Sequence, residues 1–202
     1  MCGRFAFYSP SEAMAALFGV DGSIAVEPRY NIAPTQFIAA VREDEERNRE
    51  LVMLRWGLVP SWAKDPAIGN RMINARAETV AERPSYRAAF QHRRCLVLAD
   101  GFYEWRKEGN TKIPYFISLA SGKPFGLAGL WENWTDKNSG ESIQSTTLIT
   151  TAANEWLSRP GDFLERSAAS SPALQAWPVD RRINNARNSG AELIAATGDI
   201  LN

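Results

Sequence analysis

"CLVLADGFYEW", residues 95–105, runs apolar from Cys95 to Ala99 and then places aromatic residues at 102, 103 and 105. Such composition suits a pleated, half-buried strand. The next apolar run, "IPYFISLA" at 113–120, follows the charged, glycine-containing connection "RKEGNTK", so the two segments read as a β-hairpin. Working outward, "PFGLAGLWENW" (124–134) and "STTLITTAA" (145–153) give two more strands around "TDKNSGESIQ". Upstream, "FIAAV" (37–41) and "LVMLRWGLV" (51–59) are strands on either side of "REDEERNRE", and "RFAFY" (4–8) is a short first strand.

Helices are few. "SPSEAMAALFG" (9–19) has Ser9 or Ser11 to cap it, Pro10 for its first turn and Gly19 to end it. "PRYNIAPTQ" (28–36), with two prolines and no periodicity, is expected to be an ordered loop. The stretch 60–90 mixes Pro, Gly and Asn with short helical pieces and shows no strand character; long irregular segments of this kind commonly carry function. The expected fold is α+β, mainly antiparallel β, a barrel-like core with peripheral helices, formed by residues 1–202 as one domain.

Composition narrows the function. The chain of 202 residues is 45% hydrophobic and 23% charged, which is ordinary for a globular protein. Its 23 basic and 23 acidic residues cancel, so net charge offers no argument for a polyanionic partner. A local basic surface is still open to it, because Arg71, Arg76, Arg83, Arg87, Arg93 and Arg94 crowd one segment. No apolar run approaches the ~20 residues that span a bilayer, and no secretory leader is visible, so a cytoplasmic protein without membrane contact is expected. Two cysteines, Cys2 and Cys95, suggest neither a disulfide framework nor a metal site, and no cofactor is expected.

Cys2 directly follows the initiator Met1. Trimming of that methionine would leave a 1,2-aminothiol, with an α-amine of pKa ~7.7–8.0 beside a thiol of ~8.5. The amine can condense with an aldehyde, and the thiol can close on the same carbon to give a five-membered thiazolidine. The plainer reading is a small apolar residue at the start of a strand. Likewise Asn74 in "NARAET" could cap a helical turn, Glu104 could be the solvent face of an alternating strand, and Arg76 could pair with Glu78 or bind phosphate. Trp56, Trp62, Trp105 and Phe37 each read first as core, with Trp62, in a proline-containing loop, the best candidate for stacking on a base. Cys95, in an apolar strand, reads as inert packing.

Taken together, "MCGRF", "YNIAPT", "WGLVPSWAKD", "NARAET", "RRCLVLADGFYEW", "FGLAGLWENW", "TLITTAAN" and "WPVDRRINNARN" resemble, in order, the SRAP family of SOS-response-associated peptidase-like proteins, which shield abasic sites in single-stranded DNA. The resemblance implies a mainly β barrel-like fold with the N-terminal cysteine at the foot of a DNA-binding groove. It implies that Cys2, freed of Met1, forms a thiazolidine crosslink with the ring-opened abasic sugar, that Asn74 bonds the sugar or the cysteine amine, and that Glu104 acts as acid and base. Tyr103 and Trp105 are expected to desolvate Glu104 and raise its pKa. Strand contacts fall to Arg4, Trp62, Arg71, Arg76 and Thr150. The implied partner is abasic single-stranded DNA, met by a monomer in the cytoplasm that joins the nucleoid when bound, with weak lyase and self-processing activity as side reactions.

One departure stands out. The family pattern has a histidine soon after the "TTAAN" strand end, and here "ANEWLSR" runs straight into "PGDFLER"; the chain's one histidine, His92, sits elsewhere and reads as a surface or phosphate-side residue, not as the missing group. Two competing functions remain, a thiol peptidase that releases Cys2 by self-processing and a noncovalent single-strand binding module.

Overall fold

The computed structural model describes residues 2–20, 25–150 and 173–201. Its strands are β1 (Phe5–Phe7), β2 (Arg29–Ile32), β3 (Phe37–Glu43), β4 (Arg49–Trp56), β5 (Asn74–Arg76), β6 (Arg94–Ala99), β7 (Gly101–Glu108), β8 (Thr111–Leu119), β9 (Phe125–Thr135), β10 (Ser142–Thr150) and β11 (Leu174–Pro178). Among the described residues three short α-helices accompany them, α1 (Ser11–Phe18), α2 (Ala77–Val80) and α3 (Arg87–His92), with 3-10 turns at Pro66–Arg71, Arg181–Asn184 and Ala191–Ile194.

Strands β4, β3, β6, β9 and β10 neighbour one another in that order, and a parallel contact of Ser145 and Thr146 with Arg55 and Trp56 joins β10 back to β4. Five strands therefore close on themselves, which removes the free edges that an open sheet must protect. The expected barrel is observed. β5 extends β10 in parallel beyond the closure, with Leu148 opposite Asn74 and Thr150 opposite Arg76.

A second sheet of order β11-β8-β7-β1-β2 lies against the barrel. Alternation along β1 and β7 decides what each of its faces meets. Phe5, Phe7 and Phe102 pack with Ile38, Leu54, Trp56 and Leu98 of the barrel, while Ala6, Tyr103 and Trp105 pack with Phe116, Val179, Ile183 and Leu193 on the other side. Trp56 locks the two bodies together. Its ring meets Phe5 edge-on with centroids 5.3 Å apart, and its indole N–H donates to the Ile73 carbonyl at 2.9 Å.

Several local expectations are corrected. Residues 95–105 do not form one strand: the chain leaves the barrel at Asp100 and enters the second sheet as β7, and only β7 makes the hairpin with β8. The Asp100 carboxylate, buried, accepts the N–H groups of Tyr8 (2.6 Å) and Ser9 (2.8 Å) and the Ser9 hydroxyl, which satisfies it at the crossing point. Ser9 is thereby diverted from capping α1; the cap position falls on Pro10, without a side-chain hydrogen bond, while Gly19 ends the helix with φ +65° as expected. The segment "PRYNIAPTQ" is not all loop, because β2 forms by pairing with β1, Phe5 opposite Ile32. Within 60–90, Asn74–Arg76 is a strand for the same reason, a tertiary partner supplying what local pattern lacked.

Gly57 ends β4 with φ +127°, and its N–H donates to Thr146 O at 2.8 Å. A Cβ there would run into the carbonyl oxygen of Gly69. Gly57→Ala combines overpacking with a backbone conformation closed to L-residues and is expected to destabilise the fold by about 3 kcal/mol. A thermal melt unchanged from wild type would show that the crossing of these two backbones has room for a methyl group.

Candidate active site at the N-terminal cysteine

Cys2 stands just before β1, where the second sheet meets the β5 extension of the barrel. Asn74 on β5 donates its amide N–H to the Cys2 carbonyl at 2.8 Å, and the other end of that amide, Oδ1, is buried with no partner among the described residues. The Cys2 thiol is buried and donates to the Arg4 carbonyl at 3.5 Å. Beside it runs β7: Phe5 pairs with Phe102, and Tyr103 N–H continues that register by donating to Arg4 O at 2.9 Å. Glu104 then falls opposite Gly3, close enough that its charge acts on Cys2. A Cβ on Gly3 would meet nothing within 4 Å, so the site is open at this point.

Burial pushes the Cys2 thiol from an ordinary value of 9.0 up to about 12; the Glu104 charge adds to the rise, and the bond to Arg4 O and the nearby amino terminus oppose it. At neutral pH the sulfur therefore carries its proton. Cys95 is different in kind. It packs inside the barrel with its sulfur 3.4 Å from the Thr146 hydroxyl, its pKa pushed up to about 11 by burial, in keeping with inert packing.

Cys2, Asn74 and Glu104 thus come together from three elements that are remote in sequence. The strand-contact candidates divide. Arg76, exposed at the end of β5 opposite Thr150, holds no ion pair among the described residues. Trp62 is 60% exposed and shares a groove of about 550 Å³ with Lys64, Ile68 and the exposed Arg71. Arg4 is drawn inward: its guanidinium donates to Asn31 Oδ1 at 2.6 Å and to the Ile183 carbonyl at 2.9 Å.

The aromatic neighbours of Glu104 are corrected. Tyr103 and Trp105 point to the opposite face of β7, where Tyr103 donates its hydroxyl to Tyr30 O (2.6 Å) and Trp105 its indole N–H to Asn184 Oδ1 (2.8 Å), so neither ring covers the carboxylate. Trp56 is core, as read from sequence. Phe37 is not, being 56% exposed at the first position of β3. Asn31 was missed. Buried at 6% exposure, it also donates to the carbonyls of Asn185 (3.0 Å) and Asn188 (2.8 Å), and the only sequence signal for it was an amide inside a stretch bracketed by prolines. His92 is exposed at the end of α3. The expected site of the missing histidine segment, like Met1, lies outside the described residues. Among the described residues no three His, Cys, Asp or Glu side chains gather as a metal site, and no helix is long and apolar enough to cross a membrane.

A β barrel backed by a second sheet sets the Cys2 thiol between them, beside the Asn74 amide and the Glu104 carboxylate. The family described as SOS response associated peptidase (SRAP) matches residues 1–162, and the chain belongs to that family. It is 38% identical over 225 residues to the abasic site processing protein YoaM of Bacillus subtilis, covering 97% of this chain and 98% of that protein. With the abasic site processing protein YedK of Escherichia coli it shares 34% identity over 227 residues, covering 96% and 99%. The abasic site processing protein HMCES of Xenopus tropicalis is 27% identical over 222 residues, covering 84% of this chain and 66% of that protein. A crystal structure of a Bacteroides thetaiotaomicron protein superposes with a TM-score of 0.78 at 21% identity, over 97% of this chain and 100% of that one, which supports the fold.

The closed setting of Cys2 has a measurable consequence. Its thiol keeps a proton in the folded state that the unfolded chain releases near pH 9, so it favours folding below pH 9 and that contribution is lost as pH rises from 9.0 toward about 12. Alkylation of Cys2 by iodoacetamide in the native protein at pH 8, read by peptide mass, is expected to be at least about 10²-fold slower than in urea. Equal rates would mean that the thiol is not enclosed.

Proposed function

We propose that this protein processes abasic sites in single-stranded DNA by capturing the lesion covalently at Cys2. The observation that carries the reading is the convergence of Cys2, Asn74 and Glu104 at a spot that is open beside Gly3 and next to the exposed cation of Arg76. Once Met1 is removed, the Cys2 α-amine adds to the C1′ aldehyde of the ring-opened sugar and the carbinolamine loses water to give an imine. The Cys2 sulfur then bonds to the same carbon, its proton passing by way of Glu104 to the imine nitrogen, and a thiazolidine closes. Asn74 fixes the main chain of Cys2 through the 2.8 Å bond and offers its buried, unpartnered Oδ1 to the freed amine or to a sugar hydroxyl. β-Elimination from the imine, before sulfur closes the ring, accounts for weak lyase activity.

The thiol's high pKa suits this order of events. Amide hydrolysis by a cysteine needs a thiolate and a base to make it, whereas imine chemistry begins at the amine and calls on sulfur only after the aldehyde is held. Arg76, Arg71 and Thr150 meet the strand's phosphates and sugars, Trp62 stacks on a base at a worth of ~1–3 kcal/mol, and Arg4 adds positive charge from beneath. The protein acts in the cytoplasm, as a monomer, wherever single-stranded DNA is exposed.

Incubation with oligonucleotides with and without an abasic site, followed by a denaturing gel, tests the proposal. A shifted band is expected with the abasic strand only, and none with Cys2→Ala, which should still bind undamaged strands. A heat-stable band of full intensity from Cys2→Ala would overturn the assignment of the nucleophile.

Glu104→Gln keeps shape and hydrogen-bonding capacity but cannot carry the proton. It is expected to fold and bind normally and to crosslink about 10²-fold more slowly. Wild-type rates between pH 5 and 9 would return Glu104 to the role of a strand-face residue.

A further inference from the structure

Separate from the Cys2 cluster and the Trp62 groove, a second pocket of about 350 Å³ opens between β2 and the C-terminal segment. Pro28, Arg29, Tyr30, Asn31 and Gln36 form one wall, and Asn188, Ser189 and Gly190 are part of the other. Its lining holds a cation and several amides and no carboxylate.

The cation is Arg29. One guanidinium nitrogen donates to the Phe37 carbonyl at 2.6 Å and another to Gln36 Oε1, both neutral acceptors, and Arg29 forms no ion pair among the described residues. Those two bonds use two of its five N–H groups and aim the fork. Burial lowers its pKa, which means that the charge is partly stripped of water without a counter-charge to replace it. A half-buried guanidinium held by neutral groups is matched by an anion with paired oxygens; the nearby carboxylate of Glu192 packs against Gly190 in the other wall. Tyr30 stiffens the wall beside it, stacked on Tyr8 with centroids 5.0 Å apart and planes 16° from parallel. The pocket also adjoins the reactive end of the chain, because Asn31 in its wall takes the guanidinium of Arg4, two residues from Cys2.

We propose that this pocket holds a backbone phosphate of the DNA strand that flanks the captured lesion, with Arg29 as the binding cation and Ser189 at the rim. The proposal rests on the reading of the protein as an abasic-site processor, which supplies a chain of phosphates running away from Cys2. It gives the strand a second anchor besides Arg76, so that two cations grip the backbone around the reacting sugar.

The test is a salt titration of binding to a fluorescein-labelled single-stranded oligonucleotide without a lesion. Ser189→Asp places a carboxylate at the exposed rim and leaves the bonds of Arg29 and Asn31 in place. Asn138→Asp adds the same charge in the β9–β10 turn as a control. Ser189→Asp and Arg29→Gln are each expected to bind about fivefold to tenfold more weakly at low salt, and to flatten the plot of log affinity against log salt by about 0.7, the value of one phosphate contact on a single strand. Asn138→Asp should match wild type. Arg29→Gln also loosens the Gln36–Phe37 turn, so Ser189→Asp, with an undiminished thermal midpoint, is the deciding variant. Wild-type affinity and slope for Ser189→Asp, or equal weakening by Asn138→Asp, would overturn the pocket while leaving abasic-strand crosslinking by the wild-type protein intact. A wild-type protein that neither bound nor crosslinked would remove the reading beneath it as well.

Discussion

The molecule depends on how one edge of β10 is shared. Ser145 and Thr146 take β4 in parallel and close the barrel, and from Leu148 onward the same edge takes β5. The handover is possible because β4 stops at Gly57, whose backbone crosses that of Gly69 too closely for a side chain on either residue. Barrel closure alone would stabilise the core. The handover does more, because it sets the position of β5, and with it the amide of Asn74 under the Cys2 carbonyl and the guanidinium of Arg76 at the strand's end.

The second sheet supplies the other half of the site by the alternation of one strand. On β7, Phe102 and Glu104 look toward the barrel and Cys2, while Tyr103 and Trp105 anchor the strand from behind. The carboxylate is thus held by its neighbours without being covered by them. Arg4 and Asn31 play the same part for Cys2, converting two polar side chains into a buried hydrogen-bonded link between the first strand and residues 183–188. Buried polar groups are ordinarily hydrogen-bonded, and this link ties the residues beside Cys2 to residues 183–188.

Much of this was legible in the sequence. The hairpins β3–β4, β7–β8 and β9–β10 arise from apolar runs on either side of charged turns, and the three central residues of the site stand in motifs that the family resemblance picks out. The break at Asp100 was not legible, because an apolar run carries no mark of which sheet it joins; it shows only in a carboxylate whose three donors lie more than ninety positions away. β2 and β5 were hidden for a related reason, since strands of three or four residues owe their conformation to a partner. Phe37 and Trp62 look like core by composition but lie at the surface, Phe37 at the first position of β3 and Trp62 in a turn, and the inward turn of Arg4 depends on Asn31, an amide with no motif of its own.

The bond from Arg4 to Ile183 spans 179 residues. On the ribosome, where chains grow at about 5–20 residues per second, that contact must wait on the order of ten to forty seconds after the amino terminus first appears. During that interval Arg4 and Asn31 lack their carbonyl partners and the chain around Cys2 is unfinished. The amino-terminal segment is therefore an open chain through most of synthesis, and Cys2 is enclosed only when residues 183–188 arrive to complete its surroundings.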